Sequence, residues 1–280
     1  SFTKSNKKNL FCQSTFFSVF FTILVLQLNF SFAENKQSYV SIEYIPGWQI
    51  TDQIIQGGLA FELDTNWKTY WRNPGPYGIK PEFYWEGSEN VEHIEFSWPE
   101  PVIINQADIK ILGYENSLIL PIKIFKKNPS KRATLKLDIS FGICSNICRL
   151  EQVQIVSTLD TELETYTKNL IKGALLRSPK TKTNNIVKTA KCKLFMSTGE
   201  LWLNHEIYVP LTSKVSPLTI IEYSSRLLAF NYGKVSDQAR KISTSVSLSN
   251  IVESEGFLER SQIKTTVFFE RRGLEINGCD

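Results

Sequence analysis

The chain has 280 residues, 32 Lys and Arg against 28 Asp and Glu for a formal charge of +4, 42% hydrophobic residues and five cysteines. That length can hold two small domains, and the near balance of charge gives no argument for nucleic acid as a partner. No serine sits in a nucleophile elbow, no Gly-rich phosphate loop occurs and the acidic pairs are scattered, so hydrolase and nucleotide-binding readings have no support.

The first 33 residues read as a secretory signal. Lys4, Lys7 and Lys8 form a positive region, Phe16 to Leu28 an apolar one, and Ser31-Phe32-Ala33 a small-x-small cleavage site. The apolar run is too short and interrupted for a membrane span. Cleavage after Ala33 removes three lysines and no acids, so 32 − 3 = 29 basic residues face 28 acidic ones and the charge falls to +1. No later stretch is apolar enough to span a bilayer. Removing Cys12 leaves four cysteines, an even number suited to an oxidising compartment. The expectation is a secreted or periplasmic protein with no transmembrane span in the mature chain.

From Tyr39 to Val156 short strand candidates alternate with turn signals. They are 54–63, 83–85, 92–98, 118–125 and 133–139, with Pro99, Pro101, Pro121 and Pro129 as punctuation. Trp67-Lys68-Thr69-Tyr70-Trp71 alternates aromatic and polar residues. Asn73-Pro74-Gly75-Pro76-Tyr77-Gly78 must be a turn or loop, because two prolines remove two backbone donors. Short strands at this spacing predict an antiparallel sandwich.

Asp160 to Leu176 predicts one helix, capped by Asp160 or Thr161 and ended by Pro179. Its apolar face is Leu163, Tyr166, Leu170, Ile171, Ala174 and Leu175. Residues 177–185 read as a linker. Strand patterns return from Ile186, with candidates at 218–223, 227–232, 244–248 and 264–271. The expected organisation is a signal peptide at 1–33, a β-sandwich domain at 34–159, helix and linker at 160–185, and a smaller β-rich accessory domain at 186–280.

The chemistry concentrates at Cys144-Ser145-Asn146-Ile147-Cys148. Leu135, Leu137 and Ile139 alternate with polar residues before it, and Val153 and Ile155 do so after it. In a straight strand four steps would separate the Cα atoms by roughly 13 Å, whereas a disulfide needs them within about 7 Å. Bonding therefore requires the chain to fold back, which Ser145 and Asn146 suit. So small a ring closes little chain entropy. Spacing alone leaves three readings open: thiol–disulfide exchange through Cys144 and Cys148, a structural staple, or a Cu(I) site using both thiolates. Arg149 is the adjacent charge that could stabilise a thiolate. If Cys144 and Cys148 use each other, parity pairs Cys192 with Cys279 as a structural disulfide. That bridge closes a loop on the order of a hundred residues, for which chain entropy gives roughly 4–5 kcal/mol.

Trp48, Trp67, Tyr70, Trp71, Tyr77, Phe83, Tyr84, Trp85 and Trp98 form an aromatic set that suits core or edge packing better than a sugar-stacking platform. His93, flanked by acids, reads as a surface residue. His205 has no nucleophile near it in sequence. No cofactor is called for.

The run Trp67-Lys68-Thr69-Tyr70-Trp71-Arg72-Asn73-Pro74-Gly75, followed by Pro81, Trp85, Trp98-Pro99, a Leu112-Gly113-Tyr114-Glu115 turn, a Leu120-Pro121 strand and then Cys144 and Cys148, resembles the N-terminal periplasmic domain of DsbD-type protein-disulfide reductases, in the branch that includes ScsB. The resemblance covers about residues 40–156. It implies an immunoglobulin-like sandwich whose Cys144/Cys148 pair relays electrons from a membrane-embedded thiol reductant to periplasmic thioredoxin-like or disulfide-isomerase proteins. Neither a multi-span membrane domain nor a thioredoxin-like C-x-x-C is present in this sequence, so the expectation is a donor acting in trans or a relay role that has been lost. The competing expectations are a protein- or glycan-binding sandwich with a structural disulfide, and a Cu(I)-binding protein.

Overall fold

Hydrophobic alternation turns into two stacked β-sandwiches in the computed structural model. It describes residues 38–75, 77–106, 109–159, 165–181, 189–208, 216–224, 226–236, 241–249, 258–269 and 272–279. The segment expected to be a signal, with Cys12, and the expected helix caps Asp160 and Thr161 lie outside the described residues. Residues 39–280 form one compact unit. No helix among the described residues is long and apolar enough to cross a membrane.

The N-terminal half holds ten strands: β1 (Val40–Thr51), β2 (Ile54–Leu63), β3 (Lys68–Tyr70), β4 (Glu82–Tyr84), β5 (Val91–Phe96), β6 (Val102–Gln106), β7 (Ile109–Glu115), β8 (Ser117–Lys126), β9 (Thr134–Cys144) and β10 (Cys148–Thr158). One sheet runs β1-β2-β8-β5 and the other β10-β9-β3-β7-β6, with β4 also pairing β9. All these pairings are antiparallel. Leu59, Leu120, Ile122 and Ile124 of the first sheet meet Leu112, Leu135, Leu137 and Phe141 of the second in one core. This is the immunoglobulin-like all-β sandwich that the sequence implies.

Two expectations change. Leu112 to Glu115 is not a turn but the end of β7. A Cβ at Gly113 would lie 2.3 Å from the Thr69 carbonyl oxygen, so that glycine serves a close approach of strands rather than a reversal. Pro121 punctuates nothing either, since it sits within β8, opposite Gly58. Its carbonyl accepts from the Ser97 N–H just past the end of β5, so its missing donor faces a side where no strand continues.

One helix, α1 (Thr165–Arg177), follows. It buries Ile171 and Ala174 on the first sheet, while Tyr166, expected on the apolar face, is 71% exposed. Pro179 ends the helix and also opens a strand. Within the expected linker, β11 (Pro179–Thr181) adds in parallel to the last strand of the second sandwich.

That sandwich contains β12 (Thr189–Ser197), β13 (Glu200–Tyr208), β14 (Leu218–Tyr223), β15 (Arg226–Tyr232), β16 (Lys234–Val235), β17 (Lys241–Ser247), β18 (Ile263–Phe269) and β19 (Arg272–Asn277). Its sheets run β11-β19-β18-β14-β15 and β12-β13-β17-β16. Strand β14 is buried at all six positions, the pattern of a strand covered on both faces. Ile221 and Tyr223 belong to the second core, whereas Leu218 and Ile220, with Phe268 of β18, belong to the core of the N-terminal half. The two sandwiches therefore share a wall.

Candidate functional site

Strands β9 and β10 form a hairpin, with Cys144 directly opposite Cys148 in its register. Their Cα atoms are 4.1 Å apart and the sulfurs are bonded. Ser145, Asn146 and Ile147 make the connection, and the Ser145 N–H donates to the Ile147 carbonyl at 3.0 Å. The chain thus folds back between the cysteines, as their spacing requires for a bond.

The two sulfur-bearing residues differ sharply in environment. Cys144 is 0% exposed and lies in an apolar nest of Tyr70, Ile104 and Ile111. Cys148 is exposed. Strand β10 is an edge, and Ile147 and Leu150, either side of Cys148, are 62% and 54% exposed. Apolar side chains on an open edge, next to a sulfur, provide a surface on which a partner can dock.

The Tyr70 hydroxyl lies 3.6 Å from Cys148 Sγ and is placed to donate to it. Burial pushes Tyr70 above its usual value, so its hydroxyl keeps its proton and remains a donor. Its position follows from packing. Strand β3 is wedged between β7 and β9, and Thr69 Oγ1 donates to the Gly142 carbonyl at 2.9 Å. A Cβ at Gly142 would fall 2.6 Å from Tyr70 Cε2, so the glycine lets the ring lie against β9 on its way to the sulfur. Arg149, the charge that sequence reasoning put beside the pair, is held by Glu151 at 3.2 Å and lies over the Tyr39 ring. Tyr70 was missed as a sulfur partner because it is 78 residues from Cys148. The only signal for it was its place in the aromatic run.

The rest of that run points to the other sandwich. Trp67 and Trp71 are buried, at 8% and 0%, so they are core and not a stacking platform. Arg72 lies over Trp71 and donates to Glu222 Oε2 at 2.6 Å and Thr266 Oγ1 at 3.1 Å; it also pairs with Glu275 at 2.9 Å. Burial works against its charge, but Glu222 and Glu275 outweigh burial and hold the guanidinium protonated. Asn73 Nδ2 donates to Glu222 Oε1 at 3.1 Å, and Gly75 lies beside Leu227 of β15. Residues 71–75 form an irregular segment, as the prolines require. Trp98-Pro99 is tied to β7 by the Tyr114 hydroxyl, which donates to the Pro99 carbonyl at 2.7 Å.

A groove of about 470 Å³ flanks the hairpin tip, between Ser145-Asn146 and Thr65 to Lys68. In the second half, Cys192 and Cys279 are bonded, with Cα atoms 5.6 Å apart. This bridge joins β12 of one sheet to the chain just past β19 of the other. His205 is buried against it, and burial pushes its imidazole down to about 4, keeping it neutral. His93 is exposed and stacks on Phe125.

Residues 40–160 match the family described as Thiol:disulfide interchange protein DsbD, N-terminal. The crystal structure of the N-terminal periplasmic domain of ScsB from Proteus mirabilis matches with a TM-score of 0.64 and 16% identity, covering 88% of this chain and 94% of that one. At that identity the likeness shows a shared fold. The periplasmic chaperone SfaE covers 86% of this chain and 98% of its own at 7% identity, but its TM-score of 0.22 carries no argument. No curated protein matches.

Proposed function

We propose that the thiol-disulfide exchange domain of the DsbD N-terminal family at residues 40–160 works as a periplasmic electron relay, with Cys144 and Cys148 as its redox pair. The observation that carries this reading is the unequal burial of two cysteines directly opposite each other in one hairpin, the exposed residue with its sulfur beside a tyrosine hydroxyl.

In the accepting step, a partner thiolate attacks Cys148 Sγ, because Cys144 is enclosed. The Cys144–Cys148 bond breaks, Cys144 leaves as a thiolate that takes up a proton, and a mixed disulfide forms at Cys148. The partner's second thiol then attacks its own bonded sulfur, so the partner leaves oxidised and this pair is left with two thiols. In the donating step, the Cys148 thiolate attacks a client disulfide, and Cys144 resolves the mixed disulfide by attacking Cys148 Sγ. Tyr70 assists both steps, since a hydroxyl that donates to sulfur stabilises the thiolate. Its enclosure keeps Cys144 from outside disulfides and leaves it the resolving role.

Electrons come from a membrane-embedded thiol reductant and pass to periplasmic thioredoxin-like or disulfide-isomerase proteins. Ile147 and Leu150 give such partners an apolar landing next to the sulfur. Residues 34–159 carry the exchange and 186–280 form an accessory domain stapled by Cys192–Cys279. Cys144→Ala should trap a mixed disulfide through Cys148, and Cys148→Ala should trap none. The reduction potential of the pair should lie above the range of structural disulfides, which is typically below about −300 mV. A lower potential, or trapping at neither cysteine, would defeat the relay.

A further inference from the structure

The second sandwich holds a sulfur cluster that the exchange reaction does not use. Cys192 stands directly opposite His205 in the β12/β13 ladder, and His205 stands opposite Thr244 of β17. The sulfurs of Cys192 and Cys279 and a ring nitrogen of His205 lie within 4.8 Å of one another. His205 is 1% exposed, and its Nδ1 is 2.8 Å from Thr265 Oγ1. Among the described residues its Nε2 is buried without a hydrogen-bond partner, and so is Thr244 Oγ1 beside it in the same row. Leaving a buried polar atom unpaired is costly. An imidazole held here unsatisfied, next to two sulfurs, has the arrangement of a ligand whose metal binds in another redox state.

We propose that the dithiol form of Cys192 and Cys279, together with the His205 imidazole, is a buried three-coordinate Cu(I) site, and that the disulfide is its closed, metal-free form. Two thiolates and one imidazole are a soft donor set, which favours Cu(I). Zinc takes four ligands as a rule, and among the described residues no fourth His, Cys or carboxylate joins this group. With Nε2 as the ligand atom, Nδ1 carries the proton and Thr265 Oγ1, 2.8 Å away, accepts it and orients the ring, as second-shell partners of metal-bound histidines do. The Cα atoms of the cysteines are 5.6 Å apart, so opening the bridge leaves both sulfurs close to their positions.

A dithiol reductant gives two electrons and two protons to the Cys192–Cys279 bond and leaves as a disulfide. Binding Cu(I) then releases the two thiol protons. The metal stays Cu(I) throughout, and the neutral imidazole leaves the occupied centre with one net negative charge.

The test uses the full chain carrying Cys12→Ser, Cys144→Ser and Cys148→Ser, so that Cys192 and Cys279 are the remaining thiols. After reduction with a phosphine and its anaerobic removal, Cu(I) is titrated in competition with a bathocuproine chelator. One Cu(I) per chain is expected, and His205→Gln should weaken binding by about tenfold or more, the scale on which ligand-shell changes act. X-ray absorption of the loaded protein should show two sulfur neighbours and one nitrogen. If reduction alone unfolds the second sandwich, circular dichroism should recover on adding Cu(I), because metal binding then drives folding. No uptake, equal affinity in His205→Gln, a two-sulfur linear centre, a preference for Zn(II), or unfolding that Cu(I) does not reverse would each overturn the proposal. Because the test omits Cys144 and Cys148, its outcome is separate from that of the relay.

Discussion

Arg72→Met measures what the charge cluster between the two sandwiches contributes. The Arg72 side chain is 21% exposed, and its partners Glu222 and Glu275 are 5% and 15% exposed. An exposed ion pair is worth about 0–1 kcal/mol, whereas removing one partner of a buried pair costs about 3–5 kcal/mol because a charge is left uncompensated. The burial of Glu222 puts this cluster in the second regime. Lys264 lies 3.5 Å from Glu275 and offsets that carboxylate, so the stranded charge sits mainly on Glu222. Methionine keeps much of the stem packing on Trp71, which leaves the electrostatic part exposed to measurement. The expected loss in urea unfolding is about 3–4 kcal/mol at neutral pH. Adding Glu222→Gln should recover at least about half of it, since an amide carries no charge to strand and can still accept from Asn73. Raising the salt should change little, because buried pairs are screened weakly. A loss under about 1 kcal/mol, or no recovery in the double variant, would refute the reasoning and leave the shared apolar wall as the whole of the connection.

The two bridges should differ in stability cost. Removing Cys192–Cys279, with a sequence separation of 87, should cost about 4–5 kcal/mol by chain entropy, and removing Cys144–Cys148, with a separation of 4, about 2 kcal/mol. Denaturant midpoints of the two double Cys→Ala variants check this, and equal costs would count against it. Tyr70→Phe keeps the ring on Gly142 and deletes the hydroxyl, and a hydrogen bond to a charged group is worth about 1.5–3 kcal/mol at best. Alkylation of Cys148 in the reduced protein should then require a higher pH, because its thiolate has lost a donor. An unchanged profile would remove Tyr70 from the exchange.

The sandwich of the N-terminal half was legible because its strands advertise themselves. Ile54 to Leu63 is a dense apolar run and appears as β2 with the same bounds. The hairpin was legible because covalent geometry allows a bonded Cys144/Cys148 pair only at a reversal. Gly113 misled because a glycine that admits a neighbouring strand looks the same in sequence as one that makes a turn. Tyr70 and Cys148, Arg72 and Glu222, and His205 and the second bridge meet only through strand register and sheet packing, which a period of two does not encode. His205 accordingly read as remote from any nucleophile, although it stands opposite Cys192.

The double burial of β14 has a consequence for the order in which the molecule can be completed. The core beneath the redox hairpin includes Leu218, Ile220 and Phe268, which are synthesised well after Cys148. Until they arrive, the N-terminal sandwich keeps an apolar face open to water. The cysteine hairpin, built from neighbouring residues, can close long before that face is covered. The nascent chain thus passes through an interval in which its thiols are already placed to react while its surface is still adhesive. A chain cut after residue 159 would lack Leu218, Ile220 and Phe268 and keep that face uncovered.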